Sequence, residues 1–245
     1  MRRDPQTAFP IPEHRSPGEP PLMNRNPIRS HHRGRVTVFR KRHGLPDDSV
    51  QSLFEDSRGQ VWAATNGGMA SFEQGRFVPA RDTAGRFVFS IAEDNASGLW
   101  ISNNEGLFHV LPERAVDRIP WARLRRQMPA PNLLYDRFRG GLWLGFRDGG
   151  LLYFRDGEVR ASFTEDSGLG RGWVGALRLA PDGAVWASTE GGLSRVKDGR
   201  VVTLTSKSGL PCDPVHWTLE DDDHSVWLST ACGLVRMAGL IWTHG

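Results

Sequence analysis

Two cysteines, eight histidines and two tyrosines are the side chains of this 245-residue chain best suited to act as nucleophiles, bases or soft metal ligands. Their spacing supports little of that chemistry. Two Cys cannot build a Cys-rich zinc site or a disulfide framework, although Cys212 and Cys232 can form a single bridge. His31 and His32 sit side by side in a polar stretch and read as solvated rather than as a metal pair. Glu220-Asp221-Asp222-Asp223 lacks the twelve-residue spacing of a calcium loop and reads as a solvated turn. Trp121-Ala122-Arg123-Leu124-Arg125-Arg126 offers cations to a nucleic acid or an acidic partner, but a basic loop or short helix inserted between repeats two and three is the preferred reading. No nucleophile–base–acid set can be assembled. No glycine-rich loop stands at a strand-to-helix step, as a phosphate cradle requires. Neither a metal nor a cofactor is expected.

The elements that would position any site come from a repeat. Trp62, Trp100, Trp143, Trp186 and Trp227 recur at spacings of 38, 43, 43 and 41 residues. Each stands in a short apolar run such as Val61-Trp62-Ala63 or Val185-Trp186-Ala187, and in repeats one, three and four Gly67-Gly68, Gly149-Gly150 and Gly191-Gly192 follow. A period near 40 made of short β-prone runs indicates propeller blades. Each repeat reads as four antiparallel strands, A to D, with A at about 49–55, B at 61–65, C at 68–72 and D at 76–79 in the first. Gln74-Gly75, Asp156-Gly157 and Asp198-Gly199 are the hairpin dipeptides between C and D. Strand B is apolar on both faces, so it must be buried on both, with its Trp filling the gap between blades. The fold class is therefore all-β: a β-propeller with about five four-stranded blades.

Charge is unevenly placed. Residues 1–34 carry six Arg against Asp4, Glu13 and Glu19, and hold seven of the 16 prolines. That segment reads as a disordered Pro/Arg-rich tail, with the propeller over 35–245. Met1-Arg2-Arg3 is followed by no apolar run long enough for a signal peptide. The remainder is balanced in charge, so no electrostatic footprint for nucleic acid is expected. No apolar run is long enough to cross a membrane.

Gly44-Leu45-Pro46, a strand ending in Glu55-Asp56, the Trp run and a Gly-Gly turn resemble the two-component regulator propeller repeat. Repeats one and five match almost throughout; repeat four has Gly170 where Pro is usual, and repeats two and three lack the Gly-Leu-Pro opener. The resemblance spans about 44–237. It implies a ligand-sensing input domain of a bacterial histidine-kinase signalling system, extracytoplasmic, with a histidine kinase and response regulator as partners. Such propellers commonly form seven-bladed rings ahead of a membrane helix and a kinase. Here five repeats are visible, with neither, so the chain reads as a small propeller or a remnant of a longer one. Two closures stay open: Gly34–Arg40 completing the last blade, or Leu240–Thr243 serving as its strand D. A protein-interaction scaffold is the alternative function. Asp182-Gly183-Ala184-Val185-Trp186 resembles the Asp-box of sialidase propellers, but Tyr135 and Tyr153 both fall on strands, so a propeller hydrolase or lyase is the least favoured.

Strand direction places the D-to-A loops and B-to-C turns on one face of the disc, where propellers usually take ligands. The candidates there are Asn66, Asn103, Asn104, Arg147, Asp148, Arg171, Glu190 and His216. This varied polar set suits a small polar ligand, a saccharide or peptide. Cys212 and Cys232 fall on the same face of one blade, so a disulfide is geometrically open to them and would fit an oxidising compartment; two buried thiols are the alternative.

Overall fold

A computed structural model describes residues 28–32, 35–81, 86–111, 116–223 and 225–237. A hairpin of β1 (Ile28–His32) and β2 (Arg35–Phe39) leads into five antiparallel blades. Blade 1 is β3 (Val50–Glu55), β4 (Val61–Thr65), β5 (Gly68–Glu73) and β6 (Arg76–Pro79). Blade 2 is β7 (Val88–Glu93), β8 (Leu99–Asn103), β9 (Gly106–Val110) and β10 (Asp117–Pro120). Blade 3 is β11 (Asn132–Asp136), β12 (Gly141–Gly145), β13 (Leu151–Arg155) and β14 (Glu158–Phe163). Blade 4 is β15 (Val174–Leu179), β16 (Val185–Thr189), β17 (Gly192–Lys197) and β18 (Arg200–Leu204). Blade 5 has three strands among the described residues: β19 (Val215–Glu220), β20 (Val226–Thr230) and β21 (Gly233–Met237). The fold is an all-β, five-bladed propeller.

The C-to-D hairpins follow from their dipeptides. Gln74-Gly75, Asp156-Gly157 and Asp198-Gly199 all have positive φ at both positions, the requirement of a type I′ turn. Packing then follows strand alternation. In blades 1 to 4 the strand-B Trp faces the next blade. Trp62 packs with Val88, Leu99 and Ile101; Trp100 with Leu142 and Phe154; Trp143 with Val174 and Val185; Trp186 with Val215 and Leu228. Each interface thus packs one large indole against apolar side chains, and Trp143 and Trp186 are buried there. Truncating a fully buried one costs about 3–5 kcal/mol.

The aspartate that closes strand A has a second task. Asp56, Asp136 and Asp221 each accept the indole N–H of their own blade's Trp through Oδ2, at 3.1, 3.1 and 2.8 Å. Oδ1 meanwhile accepts backbone N–H groups of the A-to-B turn, such as Arg58 and Gln60 on Asp56. Burial pushes the Asp56 carboxyl up, but these donors outweigh it and hold the group below the usual carboxylate range.

The inner strands neighbour one another in the order β3, β7, β11, β15, β19, and among the described residues no comparable packing joins β19 back to β3. The closure in which 34–40 completes the last blade is therefore not formed. β2 pairs with β1 instead, since a local hairpin sacrifices far less chain entropy than pairing with the far end of the chain. Phe39 then covers blade 1, packing with Leu45, Ala63 and Phe77. Ile28–His32 is thus a strand inside the segment read as tail, while residues 1–27 and Leu240–Thr243 lie outside the described residues.

Candidate functional site

Three of the eight sequence-selected residues converge. Arg171, Glu190 and His216 line a cleft of about 700 Å³ on the top face, between blades 4 and 5. Arg171 and Trp173 come from the loop ahead of β15, Glu190 from the β16–β17 turn, and Pro214 to His216 from the start of β19; Glu165 completes the rim.

Local chemistry sets these positions. Thr189 Oγ1 donates to the Gly192 carbonyl and accepts the Gly191 N–H, closing the turn that carries Glu190. The same Gly191 N–H also reaches the Arg171 carbonyl at 2.9 Å, clasping the two loops together. Gly172 has φ +76°, and a Cβ there would collide with the Glu190 side chain. That glycine is a requirement of the site. Trp173 is 39% exposed, and the Arg147 guanidinium lies 5.5 Å from its ring centroid. Arg147 thus reaches the cleft's edge from blade 3.

The blade 5 wall is stapled. Cys212 and Cys232 form a disulfide, with their Cα atoms 6.0 Å apart. The Ala231 N–H donates to the Pro214 carbonyl at 3.1 Å, so the loop bearing Pro214 to His216 is held twice to the β20–β21 turn. Beside it, Asp213 accepts the Ser206 N–H at 2.7 Å. That bond, with the charges of Arg171 and Lys207, holds the Asp213 carboxyl below the usual range.

The other candidates lie elsewhere. Asp148 is exposed next to Arg147. Asn66 is half-buried and accepts from Gln51 Nε2 at 2.7 Å on blade 1. Asn103 is buried, and its Oδ1 accepts the N–H groups of Glu105 and Gly106 while its carbonyl accepts the Trp121 indole N–H. Its side chain is spent on the turn rather than offered to solvent. Asn104 is exposed in that same turn. Sequence reasoning missed Trp173, Glu165 and Pro214. Trp173 had a usable signal, being a tryptophan out of phase with the 40-residue repeat in a glycine-rich loop. The Asp-box-like Asp182 pairs with Arg195 at 2.5 Å and Lys197 at 3.1 Å, and Oδ1 accepts the Ala184 N–H, a turn-stabilising arrangement. The Trp121–Arg126 insert buries Trp121 and Leu124, and lays Arg126 4.4 Å from the centroid of Phe146.

Residues 44–67, which run from the Gly-Leu-Pro opener to the first B-to-C turn, match the family model for the two component regulator propeller. Over that segment the chain is similar to the two component regulator propeller repeat. No curated protein sequence is significantly similar to it. Among solved structures, it resembles the extracellular domain described as that of the hybrid two component system BT3049 from B. thetaiotaomicron (20% identity, TM-score 0.71), over 83% of this chain and 29% of that one. It also resembles the extracellular domain of BT4673 from the same organism (16% identity, TM-score 0.56), over 86% and 37%. The chain therefore spans about a third of these two structures. A gluconolactonase from Xanthomonas campestris shares the fold as well (11% identity, TM-score 0.58, 86% and 78% covered). A regulator propeller repeat on a fold used by both signalling proteins and an enzyme leaves catalysis to be argued from the site.

Proposed function

We propose that this propeller is a ligand-sensing input domain of a bacterial two-component system of the histidine-kinase type, and that its ligand occupies the top-face cleft between blades 4 and 5. The cleft carries the reading. It places Arg171, Glu190 and His216 around an exposed indole, so both charge signs and an apolar face converge on one concavity. That combination suits a small polar molecule with an apolar side, a saccharide or a short peptide. Binding is favoured over covalent catalysis by a hydroxyl or thiol, since no Ser, Thr, Cys or Tyr is among the residues lining the cleft. The disulfide on its wall agrees with an extracytoplasmic setting. The partners on this reading are a histidine kinase and its response regulator.

The scaffold reading has one observation in its favour: blade 5 exposes Trp217, Leu219 and Leu234 on a single face. Calorimetric titration of an oligosaccharide and short-peptide panel tests the two. A sensor binds a small member of the panel saturably, and the Arg171→Ala, Glu190→Gln double variant weakens that binding at least tenfold. Binding that the double variant leaves unchanged refutes the cleft.

A further inference from the structure

A second concavity lies on the opposite face, between blades 2 and 3, where blade 2 departs from its neighbours. In blades 1, 3 and 5 the aspartate after strand A holds the Trp indole N–H. In blade 2, Asp94 Oδ2 instead shares a 2.6 Å hydrogen bond with His109 Nε2. His109 lies across the sheet from Trp100, at the position held by Ser71 in blade 1 and Arg236 in blade 5. The freed Trp100 lies flat on the imidazole, with centroids 3.9 Å apart and planes within 3°. Gly98 makes this possible. A Cβ there would stand 2.6 Å from His109 Nε2 and 2.8 Å from Asp94 Oδ2. Asp94 and Trp100 keep the repeat's residues and Gly98 is matched by Gly141 in blade 3, so His109 is the substitution that redirects the aspartate and opens the indole.

The result is a cleft of about 330 Å³. Trp100, Tyr135 and Phe154 supply its aromatic walls, and Asp94, Asp117 and Asp156 its carboxylates. One permanent cation lines it, Arg155, and that guanidinium is already paired with Asp156 at 3.1 Å. Negative charge beside aromatic rings attracts a cation that also has an apolar surface. A bare metal ion fits poorly, because no group of three or more His, Cys, Asp or Glu gathers anywhere among the described residues.

We propose that this bottom-face cleft is a second binding site, selective for an organic cation: an ammonium or guanidinium group carried by a small amine or by a basic side chain of a peptide. The site is independent of the top-face reading, since it shares no residue with that cleft.

Two-dimensional ¹H–¹⁵N spectra of the intact chain, following the Trp100 indole N–H, test the proposal. The probes are agmatine and the capped tripeptide Ac-Gly-Arg-Gly-NH2, with Ac-Gly-Gln-Gly-NH2 as the neutral control. Either cation shifts the Trp100 signal saturably, the neutral peptide does not, and added NaCl weakens the effect. The tighter of the two cations identifies the source as free amine or peptide. Asp117 is exposed, so Asp117→Asn keeps the fold and weakens the cation at least fivefold. Absence of a saturable shift, an equal shift from the neutral peptide, or unchanged binding to Asp117→Asn overturns the proposal.

Discussion

Blades 4 and 5 are consecutive copies of one repeat, yet the same face behaves oppositely in each. On blade 4, Trp186 and Leu193 are 4% and 0% exposed, because blade 5 packs Val215 and Leu228 against them. On blade 5, the matching Leu234 is 62% exposed, with Leu219 at 55% and Trp217 at 42% on the same face. Leu193 and Leu234 are the same residue at the same register position; the presence of a following blade is what differs. Burial in a propeller is therefore a property of neighbours, not of the repeat itself.

That contrast is open to a direct break. Leu193→Asp buries a charge at the 4–5 interface and should cost about 4 kcal/mol or more, enough to unfold much of the chain. Leu234→Asp should stay within about 0.5 kcal/mol of the parent. Urea unfolding of both checks this, and equal losses would mean that blade 5's face is covered in solution.

The staple sharpens it next. Blade 5 lacks a fourth strand among the described residues but carries the Cys212–Cys232 disulfide, with a sequence separation of 20 residues. Cys212→Ser with Cys232→Ser should lower stability by about 2–4 kcal/mol. Hydrogen exchange should place that loss in blade 5 and leave blades 2 and 3 protected.

The smallest effect concerns acid. The Asp221 carboxyl is lowered chiefly by the Trp227 indole N–H, which outweighs its desolvation, and Asp56 is lowered as well. A depressed native pKa means the unfolded chain binds more protons near pH 4, so stability rises with pH there. This contribution is complete above about pH 5 and is lost as pH falls from the ordinary carboxylate value of about 3.9 through the lowered native values. Asp56→Asn with Asp221→Asn should flatten the fall of Tm between about pH 5 and 3; an unchanged slope would rule out these clips as the source.

The sequence made the architecture readable because a propeller repeats its instructions. The Trp period, the Gly-Gly turns and the hairpin dipeptides each appear several times, so errors in one copy are corrected by the others. Closure was not readable, since β2 suits either a hairpin with β1 or the edge of blade 5, and only long-range geometry decides. The site was partly readable. Arg171, Glu190 and His216 stand out as departures from the repeat, but Asn103 departs for a different reason, to close its own turn. Position on a face does not tell whether a side chain is spent on the backbone. The His109–Asp94 pair was invisible for a related cause: the residues sit 15 apart and meet only because two strands pair in register.

Hydrogen-exchange footprinting with the tightest ligand from the oligosaccharide and peptide panel tests the central claim most directly. Added protection is expected at Arg171–Gly175, Glu190–Gly191 and Pro214–His216, the three segments that frame the top-face cleft. Protection confined to blades 1 and 2, or none at saturating ligand, would contradict it.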